Sequence, residues 1–155
     1  MSEIGCELEY SVEVAASLAF VWDWRTDVRT WDDPPAQFSL DGPFAAGSWG
    51  TTLFPEREPL RWQIREVDPG SSFIIDTPLD GATLSFEWRF VGLSEGRTKL
   101  TQRILLSGEN AASYAAQVRA GFGANLPDGM NRIAAAIVAA EAAKRGYDSG
   151  SGRTD

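Results

Sequence analysis

At 155 residues the chain is long enough for one domain burying roughly 70% of its extended-state surface, and 43% hydrophobic with 23% charged residues is ordinary globular composition. Its formal charge of -8 argues against a phosphate backbone or an anionic membrane surface as a partner, so nucleic acid is not expected, and with the Ala-rich stretch Ile133 to Ala143 broken by Arg132, Glu141 and Lys144 no run reaches the ~18 apolar residues of a span, so neither is integral membrane association. With no histidine and one cysteine, Cys6, the chain lacks the commonest general base and metal ligand, which excludes Ser-His-Asp, Cys-His and HExxH sites and any internal disulfide, and argues against zinc.

Cys6, Leu8, Tyr10, Val12 and Val14 alternate with Glu7, Glu9, Ser11 and Glu13, the period of two that predicts a first strand with one wet and one buried face. No charged n-region followed by an apolar h-region opens the sequence, so cytoplasmic residence is the default expectation. Ser17 is placed to cap a short helix through Phe20, Val21 and Trp24, and a second, irregular helical stretch continues toward Trp31 until Pro34 and Pro35 stop it.

From Gln37 to Leu106 the turn signals Asp41-Gly42-Pro43, Ala46-Gly47, Asp68-Pro69-Gly70, Asp80-Gly81 and Glu95-Gly96 recur at the short spacing of an antiparallel meander. Six more strands are predicted between them: Gln37 to Leu40, Trp49 to Phe54, Leu60 to Val67, Phe73 to Thr77, Thr83 to Leu93 and Thr98 to Ser107. Leu60, Trp62 and Ile64 oppose Arg61, Gln63 and Arg65, and Leu84, Phe86, Trp88 and Phe90 oppose Ser85, Glu87 and Arg89, so one sheet face is apolar and aromatic.

After Gly108 the apolar spacing becomes helical, through Tyr114, Val118, Phe122, Leu126, Met130, Ile133 and Ile137, and predicts a long helix from Ala111 to Lys144. Pro127 lies inside that span and predicts a kink beside it. Gly121 and Gly123, each costing about 1 kcal/mol against Ala, imply either close approach of helix to sheet or room left for a ligand. The expected fold is α+β, one domain over 1–145 with a flexible polar tail over 146–155.

Three stretches carry a family resemblance: Val21-Trp22-Asp23-Trp24-Arg25-Thr26-Asp27 with Trp31; Leu40-Asp41-Gly42-Pro43-Phe44 with Gly47 and Gly50; and Thr98-Lys99-Leu100-Thr101-Gln102 through Leu106-Ser107-Gly108. Together with Leu126-Pro127 they resemble the START-like, helix-grip (SRPBCC) superfamily in its polyketide cyclase/dehydrase-like branch. That resemblance implies a strongly curved seven-stranded antiparallel sheet gripping the C-terminal helix. Cyclases, lipid carriers and receptors share this fold, so it does not choose among them.

An apolar stripe of Tyr10, Trp62, Ile74, Phe86, Trp88, Leu100 and Ile104, faced by Tyr114, Val118, Phe122 and Leu126, either fills the core or lines a cavity, with Trp31 at its rim. Gln102 and Asn125 fall at inward positions, where an unpaired amide costs about 1 to 3 kcal/mol, and with the Tyr10 hydroxyl they either contact a ligand or bond each other or the backbone. The segment Phe54 to Pro59 is either a loop at the pocket mouth or an ordinary hairpin connection.

The leading expectation is binding of a small hydrophobic or aromatic ligand, of lipid or polyketide type, without cofactor or metal, by a monomer or homodimer. One alternative is a metal-independent cyclase or dehydratase in which Tyr10, Asp76 or a bound water moves protons. Another is an interaction or stress-response domain with a vestigial cavity.

Overall fold

The computed structural model describes residues 4–31, 33 and 35–151, with side chains through Lys144. Strand β1 (Ile4–Val14) realises the first alternation: Cys6, Val12 and Val14 are buried, while Glu7, Glu9, Ser11 and Glu13 point to water. Helix α1 (Leu18–Arg25) follows, with the Ser17 hydroxyl accepting the Phe20 N–H at 3.2 Å and the Thr26 hydroxyl donating to the Trp22 carbonyl at 2.8 Å. A single 3-10 turn (Val28–Thr30) is capped by the Asp27 carboxylate, which accepts the Arg29 N–H at 3.0 Å.

Strands β2 (Gln37–Asp41), β3 (Trp49–Leu53), β4 (Leu60–Asp68), β5 (Ser72–Leu79), β6 (Ala82–Ser94) and β7 (Arg97–Ser107) then form a meander. All neighbours are antiparallel and the sheet runs β1-β7-β6-β5-β4-β3-β2, so the first strand closes onto the last. The seven predicted strands all form, with ends within a few residues of expectation. Residues 54–59 are the exposed connection between β3 and β4.

Paired residues of an antiparallel ladder share a face, so the registers sort the side chains. On the inner face, against α1 and the C-terminal helix, lie rows that cross several strands. One is Leu8, Ile104, Phe86 and Ile75; the next is Tyr10, Gln102, Trp88 and Phe73; a third is Val12, Leu100 and Phe90. Phe73 is fully buried at the centre of an aromatic cluster, with Phe44 at 4.9 Å, Phe90 at 5.9 Å, Trp22 at 6.1 Å and Trp88 at 6.2 Å between ring centroids.

Ile74 is a correction to the expected stripe. It pairs with Glu66 and Glu87 on the outer face, and Phe73, Ile75 and Thr77 take the inward positions of β5. The sequence Ser-Phe-Ile-Ile-Asp-Thr has two adjacent isoleucines, so its alternation admits either phase and the register decides.

The C-terminal segment also departs from expectation, because no single helix covers Ala111 to Lys144. A 3-10 turn (Ala111–Ser113), helix α2 (Ala115–Val118) and one π-helical turn (Arg119–Gly123) precede helix α3 (Leu126–Ser151). Pro127 is the second residue of α3, where its missing N–H falls among groups that have no intrahelical partner, so it starts a helix rather than kinking one. The interruption lies upstream, at the two glycines of the π turn.

Neither glycine has any atom within 4 Å of where a Cβ would stand, which removes close packing as their explanation. Gly50 differs: a Cβ there would overlap the Trp62 ring, which lies across its backbone. Helix α3 packs chiefly along β1, with Met130 and Ile137 fully buried. It continues through Ser151, and 152–155 of the expected polar tail lie outside the described residues.

Candidate functional site

The middle of the inner face is polar and partly open where the surrounding sheet is apolar and closed. Leu100, Ile104 and Leu106 on β7 are fully buried, yet Gln102 between them is half-buried, as are Leu8, Tyr10 and Phe86 around it. Tyr10 and Gln102 face each other across β1 and β7, and Gln102 faces Trp88 across β7 and β6. Neither the Tyr10 hydroxyl nor the Gln102 amide hydrogen-bonds to a described residue. Partial exposure removes the penalty of an unmet buried group and leaves both available to water or a ligand.

Two groups of aromatic contacts involve the expected lining residues. Phe122, from the π turn, meets Phe86 edge-on with centroids 5.6 Å apart. At the other side Trp31 lies 5.4 Å from Trp62 and packs edge-on against Phe38 at 5.6 Å. The Trp31 indole donates to the Arg25 carbonyl at 2.8 Å, and the Trp62 indole donates to the Thr52 hydroxyl at 3.0 Å, so both rings are held by their polar edges.

Arg25 completes the arrangement and was missed in the sequence reading of the site. Its guanidinium carbon stands 4.1 Å from the Trp88 ring centroid and 5.0 Å from that of Trp31. Burial lowers its pKa to about 9, and its Nε is enclosed without a partner. The signal was present, because Arg25 follows the fully buried Val21 by four residues and therefore lies on the same helix face.

Other expected residues divide by place. Val118 and Leu126 are buried in the core beside Trp62, Trp88, Leu100 and Ile104. Tyr114 is half-buried, but its hydroxyl donates to the Asp80 carbonyl at 3.1 Å and so ties the segment after β7 to the β5–β6 turn.

Asn125 is exposed instead of inward, its amide donating to the Gly121 carbonyl at 3.2 Å. It lines a shallow hollow of about 650 Å³ with Asp128, Asn131, Arg132 and Ala135 on α3. The interruption before α3 turns this residue off the predicted stripe. Asp76 lies on the outer face, paired with Gln63 and Ser85 in register, bonded to Arg65 at 2.6 Å and accepting the Ser85 hydroxyl at 2.6 Å. It is therefore remote in direction from Tyr10 and engaged in a structural pair.

Among the described residues no helix is long and apolar enough to cross a membrane, and no three His, Cys, Asp or Glu side chains gather as a metal site. The half-buried rings of Phe86 and Phe122 can take a flat or apolar body, with a hydroxyl, an amide and a guanidinium nearby to orient it.

Solved structures share this architecture at low identity. Truncated norcoclaurine synthase from Thalictrum flavum superposes with a TM-score of 0.67 at 13% identity, covering 89% of this chain and 94% of that one. The Zhui aromatase/cyclase from a Streptomyces species gives 0.65 at 20% identity, with 88% and 94% covered. A protein from Nitrosomonas europaea gives 0.64 at 14%, with 87% and 95% covered. No curated protein sequence matches. The family model described as polyketide cyclase / dehydrase and lipid transport matches residues 5–141, nearly the whole domain, and the chain therefore belongs to that family.

Proposed function

We propose that this protein binds a small hydrophobic or aromatic molecule, of lipid or polyketide type, at the opening on the inner face of the sheet. The observation that carries the reading is the pair Tyr10 and Gln102: two polar side chains amid buried apolar rows, half-exposed and without hydrogen-bond partners among the described residues. A purely packed interior would pair such groups or replace them, because an unmet amide or hydroxyl is costly once dry. Membership of a family whose description joins cyclases to lipid transport supports the same reading.

Native mass spectrometry with a displacement assay against fatty acids, sterols and aromatic polyketides tests it. Stoichiometric binding that weakens about tenfold on replacing Gln102 by Leu is expected, the loss of one ligand hydrogen bond. Failure of every class to bind overturns the proposal.

The Tyr10 hydroxyl favours a second reading. Unbonded and reachable, it could pass a proton to or from a folded polyketide, as a cyclase or dehydratase requires. Tyr10→Phe would then abolish turnover of an aromatic polyketide while leaving binding within about threefold; equal turnover by both proteins discards this reading.

A further inference from the structure

Six arginines, at 29, 61, 65, 89, 97 and 103, pair with carboxylates at 2.5 to 3.2 Å. These pairs are largely solvent-exposed, where an ion pair contributes little. Arg25 is the opposite case: half-buried, its guanidinium carbon lies over two indoles with Nε enclosed, and no carboxylate or other acceptor among the described residues bonds it. Cation–π contact offsets part of the desolvation of such a group but leaves the enclosed Nε–H unmet.

The backbone gives Arg25 little freedom to escape. It ends α1, its carbonyl is held by the Trp31 indole, and Val21 one turn earlier anchors the same face in the core. Trp88, beneath the guanidinium, lies in the row that continues through Gln102 to Tyr10, two strand spacings or about 10 Å away. A molecule lying over Gln102, beside the buried Trp88, would therefore meet donors at both ends.

We infer that Arg25 is the anion anchor of this opening and that the ligand is a planar aromatic carboxylate, its acid group on the guanidinium and its far end at Gln102 and Tyr10. This rests on the ligand-binding reading above and names the ligand's class. A carboxylate pairs with the guanidinium's terminal nitrogens in charge-assisted hydrogen bonds, whereas a neutral sterol or alkane offers the cation no counter-charge.

The test compares 2-naphthoate with its methyl ester on the full chain, by calorimetry and by quenching of tryptophan fluorescence. The acid is expected to bind about tenfold or more tightly than the ester, the increment of a charge-assisted hydrogen bond. Arg25→Met, which keeps the length and loses the charge, should bring the acid-to-ester affinity ratio to about one, and Arg25→Lys should restore part of the preference. Equal binding of acid and ester by the unmodified chain overturns the anchor and leaves the ligand-binding reading standing; binding of neither overturns both. Melting temperatures of the variants separate an alternative role. A fall of more than about 5 °C in Arg25→Met, with the acid preference intact in what remains folded, makes Arg25 a structural element and overturns the inference.

Discussion

Gly50 and Arg25 show opposite ways in which one residue serves the site. Gly50 is present because the Trp62 ring occupies the volume a side chain would need. Gly50→Ala should cost about 1 to 3 kcal/mol in urea unfolding, as overpacking does, and should shift the fluorescence of the buried indole. Arg25 instead carries a cost of its own, since a cation whose pKa is lowered to about 9 by burial is held more weakly by the folded than by the unfolded chain. Below about pH 9 both states are protonated and the penalty is fully present; it is relieved as pH rises through 9 toward the ordinary arginine range. Arg25→Met should therefore melt at or above the unmodified protein, by a margin that stays constant between about pH 6 and pH 8. Thermal denaturation at several pH values checks both the sign and the flatness.

At the scale of elements, the break before α3 determines what Phe122 and Asn125 can do. Two glycines and a π turn bring Phe122 against Phe86 while turning Asn125 outward. Because Pro127 occupies the first turn of α3, Pro127→Ala should change stability by less than about 0.5 kcal/mol, not restore the roughly 3 kcal/mol that an interior proline costs. Chemical denaturation of that variant distinguishes the two placements. The periodicity from Tyr114 to Ile137 was legible, and so was a disturbance near residue 126, but spacing alone could not locate it. A helical pattern records which residues face inward on average; it does not record one residue's shift in hydrogen bonding within a turn.

Over the whole molecule, a net charge of -8 surrounds Arg25, which has no carboxylate partner among the described residues. Distant like charge repels an approaching carboxylate and is screened by salt, whereas contact with a desolvated guanidinium is screened much less. The association rate of 2-naphthoate should rise between about 20 and 200 mM salt while its dissociation rate changes little, which stopped-flow fluorescence can read. A falling association rate would mean that the local cation dominates the long-range field.

The strands, their order along the chain and the aromatic character of one face were set by local features that the sequence displays: alternation in β1, β4 and β6, and turn residues between them. Those features act over a few residues, so they can be read without the fold. The phase of β5, which put Phe73 and not Ile74 inward, was decided by pairing with β4 and β6. Likewise, the isolation of Arg25 between Trp31 and Trp88 is a property of elements far apart in sequence, since whether a charge has a partner depends on every group that folding brings near it. The sequence by itself determined an apolar sheet face and the absence of histidine chemistry; only the tertiary structure decided that the Tyr10, Gln102 and Arg25 side chains have no hydrogen-bond partner among the described residues, because partners are assigned by packing and not by spacing.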